Sequence, residues 1–264
     1  MSTQKITSME VAKLAGVSQS AVSRVFTPGA SSSKKTNELV RKAAAELGYR
    51  PNVLARSLIT GKSRMIGLVV AYLDNYFYPE ALELLSSALQ KKGYHVLIFM
   101  SGNKEGDIAD AVDEILDYQV DGIIAASVSM SSDLAKRCTS AGVPVVLFNR
   151  TQDDDRLSAV TSDNFQGGQK VARFLLAGGH KRIGYIAGWE GASTQRDREK
   201  GFTEELVRNG QELYAREVGN FNSDEARQAA RTMFSKQNFP DAVFVANDAM
   251  AIAVIDVIRF ELGL

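Results

Sequence analysis

From Met65 onward, short apolar runs alternate with longer amphipathic stretches, and this alternation limits the fold more than any other feature of the sequence. The runs at 66–72, 95–100, 122–126 and 143–148 are apolar almost throughout rather than at every second position, which predicts strands covered on both faces. Helical stretches at 79–92, 107–118 and 132–141 separate them. A second series follows, with helices at 166–177, 195–209, 224–236 and 249–261 around strands at 182–187 and 242–246. Strands separated by helices predict parallel sheets, and the two series predict two α/β lobes, 65–160 and 161–264.

The first 64 residues are of another kind. They hold 11 Lys and Arg against 3 acids, a net +8; the chain carries 31 charges of each sign, so residues 65–264 carry a net −8. A basic head on an acidic body is the arrangement expected of a module that meets nucleic acid. Val11, Leu14 and Ala15 share one face of a helix that Thr7 or Ser8 caps, and Gly16 permits a sharp turn. Ser18 caps a second helix, with Ala21, Val22 and Val25 inward. A third spans 34–47 behind Ser33, with Leu39, Val40, Ala43 and Leu47 as its inner stripe and Gly48 closing it. This three-helix head, 1–50, reads as a helix-turn-helix. A bare amphipathic pair with a glycine turn is a generic pattern; the basic excess singles this one out. Gln19, Ser20 and Arg24 point outward as candidate readers of base edges, since Gln pairs bidentately with adenine and Arg with guanine. Thr7, Ser18, Ser23 and Lys35 are candidate phosphate contacts.

In open parallel sheets, ligands bind beyond the carboxyl ends of the strands. The residues there are polar and aromatic: Asp74, Asn75, Phe77 and Tyr78 after the first run, Asn149 and Arg150 after the fourth, then Asp163, Trp189, Arg198, Asn247 and Asp248. Amides, carboxylates and a guanidinium beside aromatic rings suit a sugar or another polar, polyhydroxylated or planar metabolite. Competing readings stand beside this one: Arg198 as a solvated helix charge, Trp189 as packing, Asp163 as a helix cap, and 153–155 as an exposed loop.

Other chemistry finds no support. No apolar run approaches membrane-spanning length and the polar start lacks the apolar region of a secretory signal, so the expected compartment is the cytoplasm. Cys138 reads as a small buried hydrophobe, and His95 and His180 lack metal-ligand spacing. Gly61-Lys62-Ser63 lacks the earlier glycine of a phosphate loop, and Gly184, Gly188 and Gly191 miss the dinucleotide spacing. With no nucleophile–base pair, catalytic carboxylate pair or metal cluster legible, neither catalysis nor a cofactor is expected.

Three runs in order, 10–18 (EVAKLAGVS), 21–25 (AVSRV) and 47–58 (LGYRPNVLARSL), resemble the lactose-repressor (LacI/GalR) family of bacterial transcription regulators. The resemblance extends through the body at 75–78, at Arg198-Glu199-Lys200-Gly201-Phe202 and at Asn247-Asp248. It implies an N-terminal helix-turn-helix head followed by a periplasmic-binding-protein-like, two-lobed parallel α/β effector body. It also implies a hinge helix and linker at 51–64, in which Asn52, Ala55 and Leu58 engage the minor groove and Leu58 acts as an apolar wedge. In the body, Arg198 would clamp the effector, Asn247 would hydrogen-bond it, and Phe77 or Tyr78 would stack on it. The implied protein is a homodimeric regulator, a repressor by expectation, that binds palindromic double-stranded operator DNA under the control of a sugar or similar metabolite. Two features depart from the family: Pro79 stands later than the usual proline of the first-strand loop, and family members continue beyond residue 264, so the C-terminal part of the second lobe is expected to be missing. The alternatives are a stand-alone sugar-binding protein without DNA function and a sugar-processing enzyme.

Overall fold

A computed structural model of the chain describes residues 6–27, 29–51, 61–71, 73, 76–101, 105–128, 130–152, 157–235 and 237–264. The chain divides into two compact units, with the boundary between Ser63 and Arg64.

In the first unit, α1 (Ser8–Ala15), α2 (Gln19–Phe26) and α3 (Lys34–Leu47) close around a small core. Local chemistry fixes each boundary. The Thr7 backbone N–H donates to Glu10 Oε2 at 2.7 Å at the start of α1, and Gly16 ends that helix at φ 65°. Ser18 Oγ accepts from the Ala21 N–H and Ser33 Oγ from the Thr36 N–H, while Gly48, again at φ 65°, closes α3. Val11, Ala12, Val22, Val25, Val40, Ala43 and Ala44 form the core. Two apolar residues expected inside are not: Leu14 is 48% and Leu39 is 43% exposed. Ala12 and Ala44 take the inner positions instead, because helices this short approach most closely over small side chains.

The second unit holds two parallel sheets. β1 (Met65–Val70), β2 (His95–Met100), β3 (Gly122–Ala126), β4 (Val145–Phe148) and β5 (Ser158–Val160) form the first, in the order β2-β1-β3-β4-β5. Its register sets Ile66 opposite both Val96 and Gly122. Its helices are α4 (Phe77–Lys91), α5 (Glu105–Asp117) and α6 (Ser132–Ser140). The second sheet runs β7-β6-β8, from β6 (Ile183–Ala187), β7 (Ala215–Val218) and β8 (Ala242–Val245). Around it lie α7 (Asn164–Ala177), α8 (Ser193–Arg208), α9 (Ser223–Phe234) and α10 (Asp248–Asp256), the last running into a π-turn at Val257–Glu261. Each lobe has its own core. Ile115, Ile123 and Leu147 centre the first, and Tyr185, Phe202 and Leu206 the second.

β5 and β7 were not expected. β5 is exposed at every position, and β7 carries Arg216 and Glu217 in a four-residue strand, so neither shows an apolar run. Cys138 is fully buried, as expected, and burial pushes its thiol up. His180 Nδ1 lies 3.5 Å from Asp241 Oδ1.

One close approach shapes the second lobe. A Cβ on Gly201 of α8 would lie 2.0 Å from the Phe165 carbonyl oxygen of α7, and one on Gly168 of α7 would lie 2.1 Å from the Arg198 carbonyl oxygen. Only glycine allows the two backbones to meet so closely. Arg198, three residues before Gly201, is thereby carried against the start of α7.

Candidate functional site

A cavity of about 480 Å³ opens at the carboxyl ends of both sheets, lined by residues that follow β1, β4, β5, β6, β7 and β8. It joins parts of the chain from Tyr76 to Ala249, and its walls differ in construction.

On the first-lobe wall, Asn149 follows β4 in a left-handed backbone conformation, φ 58°. A non-glycine residue held there is strained, and such strain gathers at ligand sites. Its Nδ2 donates to the Tyr78 hydroxyl at 2.8 Å, and that hydroxyl also bonds Ser127, itself at φ 63°. Tyr78 is only 2% exposed, so its ring belongs to the core and its hydroxyl holds Asn149; it presents no open face for stacking. Phe77, the other expected stacking residue, is 49% exposed on the cavity and lies parallel to Phe148 at 5.9 Å.

On the second-lobe wall, Arg198 donates Nε to Asn164 Oδ1 at 2.8 Å and Nη1 to the Ala246 carbonyl at 2.5 Å. Asn164 is buried and its own amide is fixed by Thr161 Oγ1 and the Ser162 carbonyl. Arg198 is therefore a positioned guanidinium on the cavity and not a solvated helix charge. Asn247 caps α10, its Oδ1 accepting from the Met250 N–H at 2.9 Å, which turns its Nδ2 into the group it offers a ligand. Asp248 is exposed in the first turn of α10 and also lines the cavity. Asp163 caps α7 through the Gln166 N–H, the competing role read for it, while lying on the cavity rim. Trp189 lies over Gly191 and does not line the cavity. Asp74 and Asn75 lie outside the described residues.

Arg150 was named from the sequence only by its place after the fourth run, and Phe221, Thr194 and Phe244 were not named at all. Arg150 is 2% exposed, its Nη1 donating to the Asn149 carbonyl at 3.1 Å and to Thr194 Oγ1 at 2.7 Å. Its guanidinium lies 5.8 Å from the centre of the Phe221 ring. Phe221 itself is at φ 58°, an outlying conformation for a bulky residue. Thr194 and Phe244 complete the set. Thr151 N–H also donates to Ser193 Oγ at 2.9 Å, so β4 of the first lobe is tied to the start of α8 of the second.

Behind the cavity, Gln195 Oε1 accepts from the Tyr185 hydroxyl at 2.9 Å and the Gly188 N–H at 2.7 Å, and Gln195 Nε2 donates to Glu199. Burial pushes the Tyr185 hydroxyl well above its ordinary value, so it stays a neutral donor.

In the head, Gln19, Ser20 and Arg24 stand exposed on α2, with Thr7, Ser18, Ser23 and Lys35 also exposed. Gln19 Nε2 donates to Ser8 Oγ at 3.0 Å and Arg24 Nε to the Ser20 carbonyl at 3.4 Å. Ser18 spends its hydroxyl on the helix cap and on Ser20. Asn52, Ala55 and Leu58 lie outside the described residues.

A small helical head with an exposed polar second helix, joined to a two-sheet unit with a polar cavity, defines a ligand-binding regulator class. Comparison with known proteins agrees. Residues 7–52 match the family of bacterial regulatory proteins of the lacI type, and residues 66–260 match a periplasmic binding protein domain. The chain is 32% identical to the maltose regulon regulatory protein MalI of Escherichia coli, over 87% of this chain and 67% of that protein. It is 31% identical to the transcriptional regulator CelR of Thermobifida fusca, over 94% and 76%. Among solved structures, the lac repressor dimer bound to operator and the anti-inducer ONPF matches with a TM-score of 0.88 at 28% identity, over 99% of this chain and 79% of that one. The chain belongs to the lacI family of bacterial regulatory proteins and is a DNA-binding transcriptional regulator. Among the described residues, no helix is long and apolar enough to cross a membrane.

Proposed function

We propose that this regulator is a homodimeric repressor whose two-lobed unit binds a small polar metabolite in the cavity between its sheets and thereby sets the affinity of two heads for a palindromic operator. The observation that carries the reading is the convergence of Asn149, Arg198 and Asn247 with the Phe77 ring on one cavity, from segments spread over nearly the whole body. Polar groups held by strained backbone, a helix cap and a glycine crossing are arranged before any ligand arrives, as preorganised binding demands. Gln19, Ser20 and Arg24 read bases from the major groove, and Thr7, Ser18, Ser23 and Lys35 hold phosphates. Gln19 exchanges its bond to Ser8 for one to a base edge. Ligand binding alters the relation of the two lobes, which are tied at Arg150–Thr194 and Thr151–Ser193, and this change passes to the dimer and its heads. The relatives support the reading by name: one regulates the maltose regulon, and the lac repressor binds operator as a dimer.

The test is selection of genomic DNA fragments by the full chain at near-physiological salt, repeated with sugars, nucleosides and their derivatives. Enrichment of a two-fold symmetric site that one compound weakens or strengthens is the expected result. Enrichment that no compound alters removes the effector from the account, and no enrichment leaves a binding protein without DNA function.

A further inference from the structure

Resting on the reading of the cavity as an effector site, one feature of its wall narrows the ligand. Arg150 is buried to 2% exposure, yet among the described residues no carboxylate pairs with it. Its partners are neutral: the Asn149 carbonyl, Thr194 Oγ1 and the Phe221 ring. Its Nε is buried with no hydrogen-bond partner at all. A buried guanidinium ordinarily requires a carboxylate or a full set of acceptors, because burial strips its hydration.

The group beside it compounds the imbalance. Thr194 is the second residue of α8, a helix of 16 residues, and Ser193, Thr194 and Gln195 are all buried. That helix has no side-chain cap and no acid in its first turn. Its positive end therefore adjoins a cation that no carboxylate pairs among the described residues. The described acids on the cavity wall do not correct this: Asp163 and Asp248 are exposed, and Asp163 is engaged in capping α7.

We propose that the effector is an anionic metabolite whose oxyanion, a phosphoryl or carboxylate group, pairs with Arg150 at the amino end of α8. The planar guanidinium fork suits either oxyanion, and helix N–H groups supply further donors. The neutral part of the ligand then meets Asn149, Asn247 and Phe77.

The full chain is titrated by calorimetry and thermal shift, at constant ionic strength, with inorganic phosphate and with pentoses, hexoses and nucleosides, each beside its phosphate ester and, for hexoses, its aldonic acid. The tightest binder is expected to be anionic and to exceed its neutral counterpart by about 100-fold, with inorganic phosphate alone raising the melting temperature. Phosphate esters and aldonic acids separate the two oxyanion sources. Arg150→Met is expected to abolish the preference. Asn149→Asp, which adds a carboxylate to the cavity wall one residue from Arg150, lowers the preference for the anionic ligand over its neutral counterpart at least about tenfold with an unchanged circular dichroism spectrum. A neutral compound that binds as tightly as its ester, or an anion preference that survives both variants, overturns the proposal and leaves the effector site standing. Binding by no compound of either class overturns the effector site and this proposal together.

Discussion

The head and the body reach their functional surfaces by opposite routes. In the head, every residue proposed to face DNA lies within a few positions of the cap or turn that orients it: Ser18 starts α2, Gly16 turns the chain, and Gln19, Ser20 and Arg24 follow at once. In the body, the cavity joins residues as far apart as Phe77 and Asn247, and although Asn247 is set by its own helix cap, several others are placed by partners distant in sequence. Asn149 depends on Tyr78, Arg198 on Asn164 and on the Gly168–Gly201 crossing, and Arg150 on Thr194. A local surface tolerates change one side chain at a time. A surface assembled over long range fails through residues that never touch the ligand.

The largest expected effect follows from that contrast. Gly201→Ala places a methyl group 2.0 Å from the Phe165 carbonyl, so α7 and α8 must separate. Overpacking of this kind costs about 3 kcal/mol or more when backbone is the obstacle. The body should melt at lower temperature and effector affinity should fall, because Arg198 moves with α8, while the head's helical signal and DNA contacts persist. Loss of the head as well would show that the two units do not behave independently.

Arg198→Ala removes a charge-assisted donor without disturbing the crossing and should cost about 2–3 kcal/mol of effector binding with operator affinity in the absence of ligand unchanged. Its mirror in the head is Arg24→Ala, which should cost about 1–3 kcal/mol on the preferred operator and relax selectivity at one base position, with effector binding intact. A uniform loss on all DNA sequences reassigns Arg24 to a phosphate. Competition binding against single-base operator variants separates the two results.

The smallest effect concerns acid. Glu205 of α8 is buried, gripped by both Nε and Nη2 of Arg173 at 2.9 and 3.1 Å and bonded by Arg208 and Asn209. The Arg173 hydrogen bonds hold its carboxyl below the ordinary value. A depressed carboxylate stabilises the fold above its unfolded value of about 4.3, and that contribution is lost as pH falls through the folded value. Urea midpoints of the wild type should therefore decline more steeply below about pH 5 than those of Glu205→Gln. Parallel declines would mean that Glu205 titrates alike in the folded and unfolded chains.

The same contrast explains what was legible in the sequence. The head's helices begin and end where Ser18, Ser33, Gly16 and Gly48 place them, because caps and left-handed turns act over three or four residues. The exposure of Leu14 and Leu39 was not legible, since it depends on how closely three helices approach. In the body, apolar runs marked strands, β2 and β3 to the residue, but only β3 is covered as expected: β2 lies at the sheet edge with Ile98 and Met100 52% and 55% exposed, and β5 and β7 went unseen because they carry no apolar run. One miss caused another. Phe221 follows β7, so the rule that ligands gather beyond strand ends would have pointed to it had that strand been recognised. Arg150 stood in view after β4, but that it is buried without an acid is a property of the folded chain alone. Phe77 and Tyr78 looked interchangeable until burial and the Ser127 bond assigned Tyr78 to the core.

The central claim is that occupancy of the cavity changes how tightly the heads hold their operator. It is tested most directly by measuring operator affinity with and without saturating effector, in the wild type and in Arg198→Ala. The account predicts a shift of about tenfold or more in the wild type that is lost at the same effector concentration in the variant, with equal affinities when no ligand is present. An undiminished shift in Arg198→Ala would place the effector somewhere other than this cavity and contradict the account.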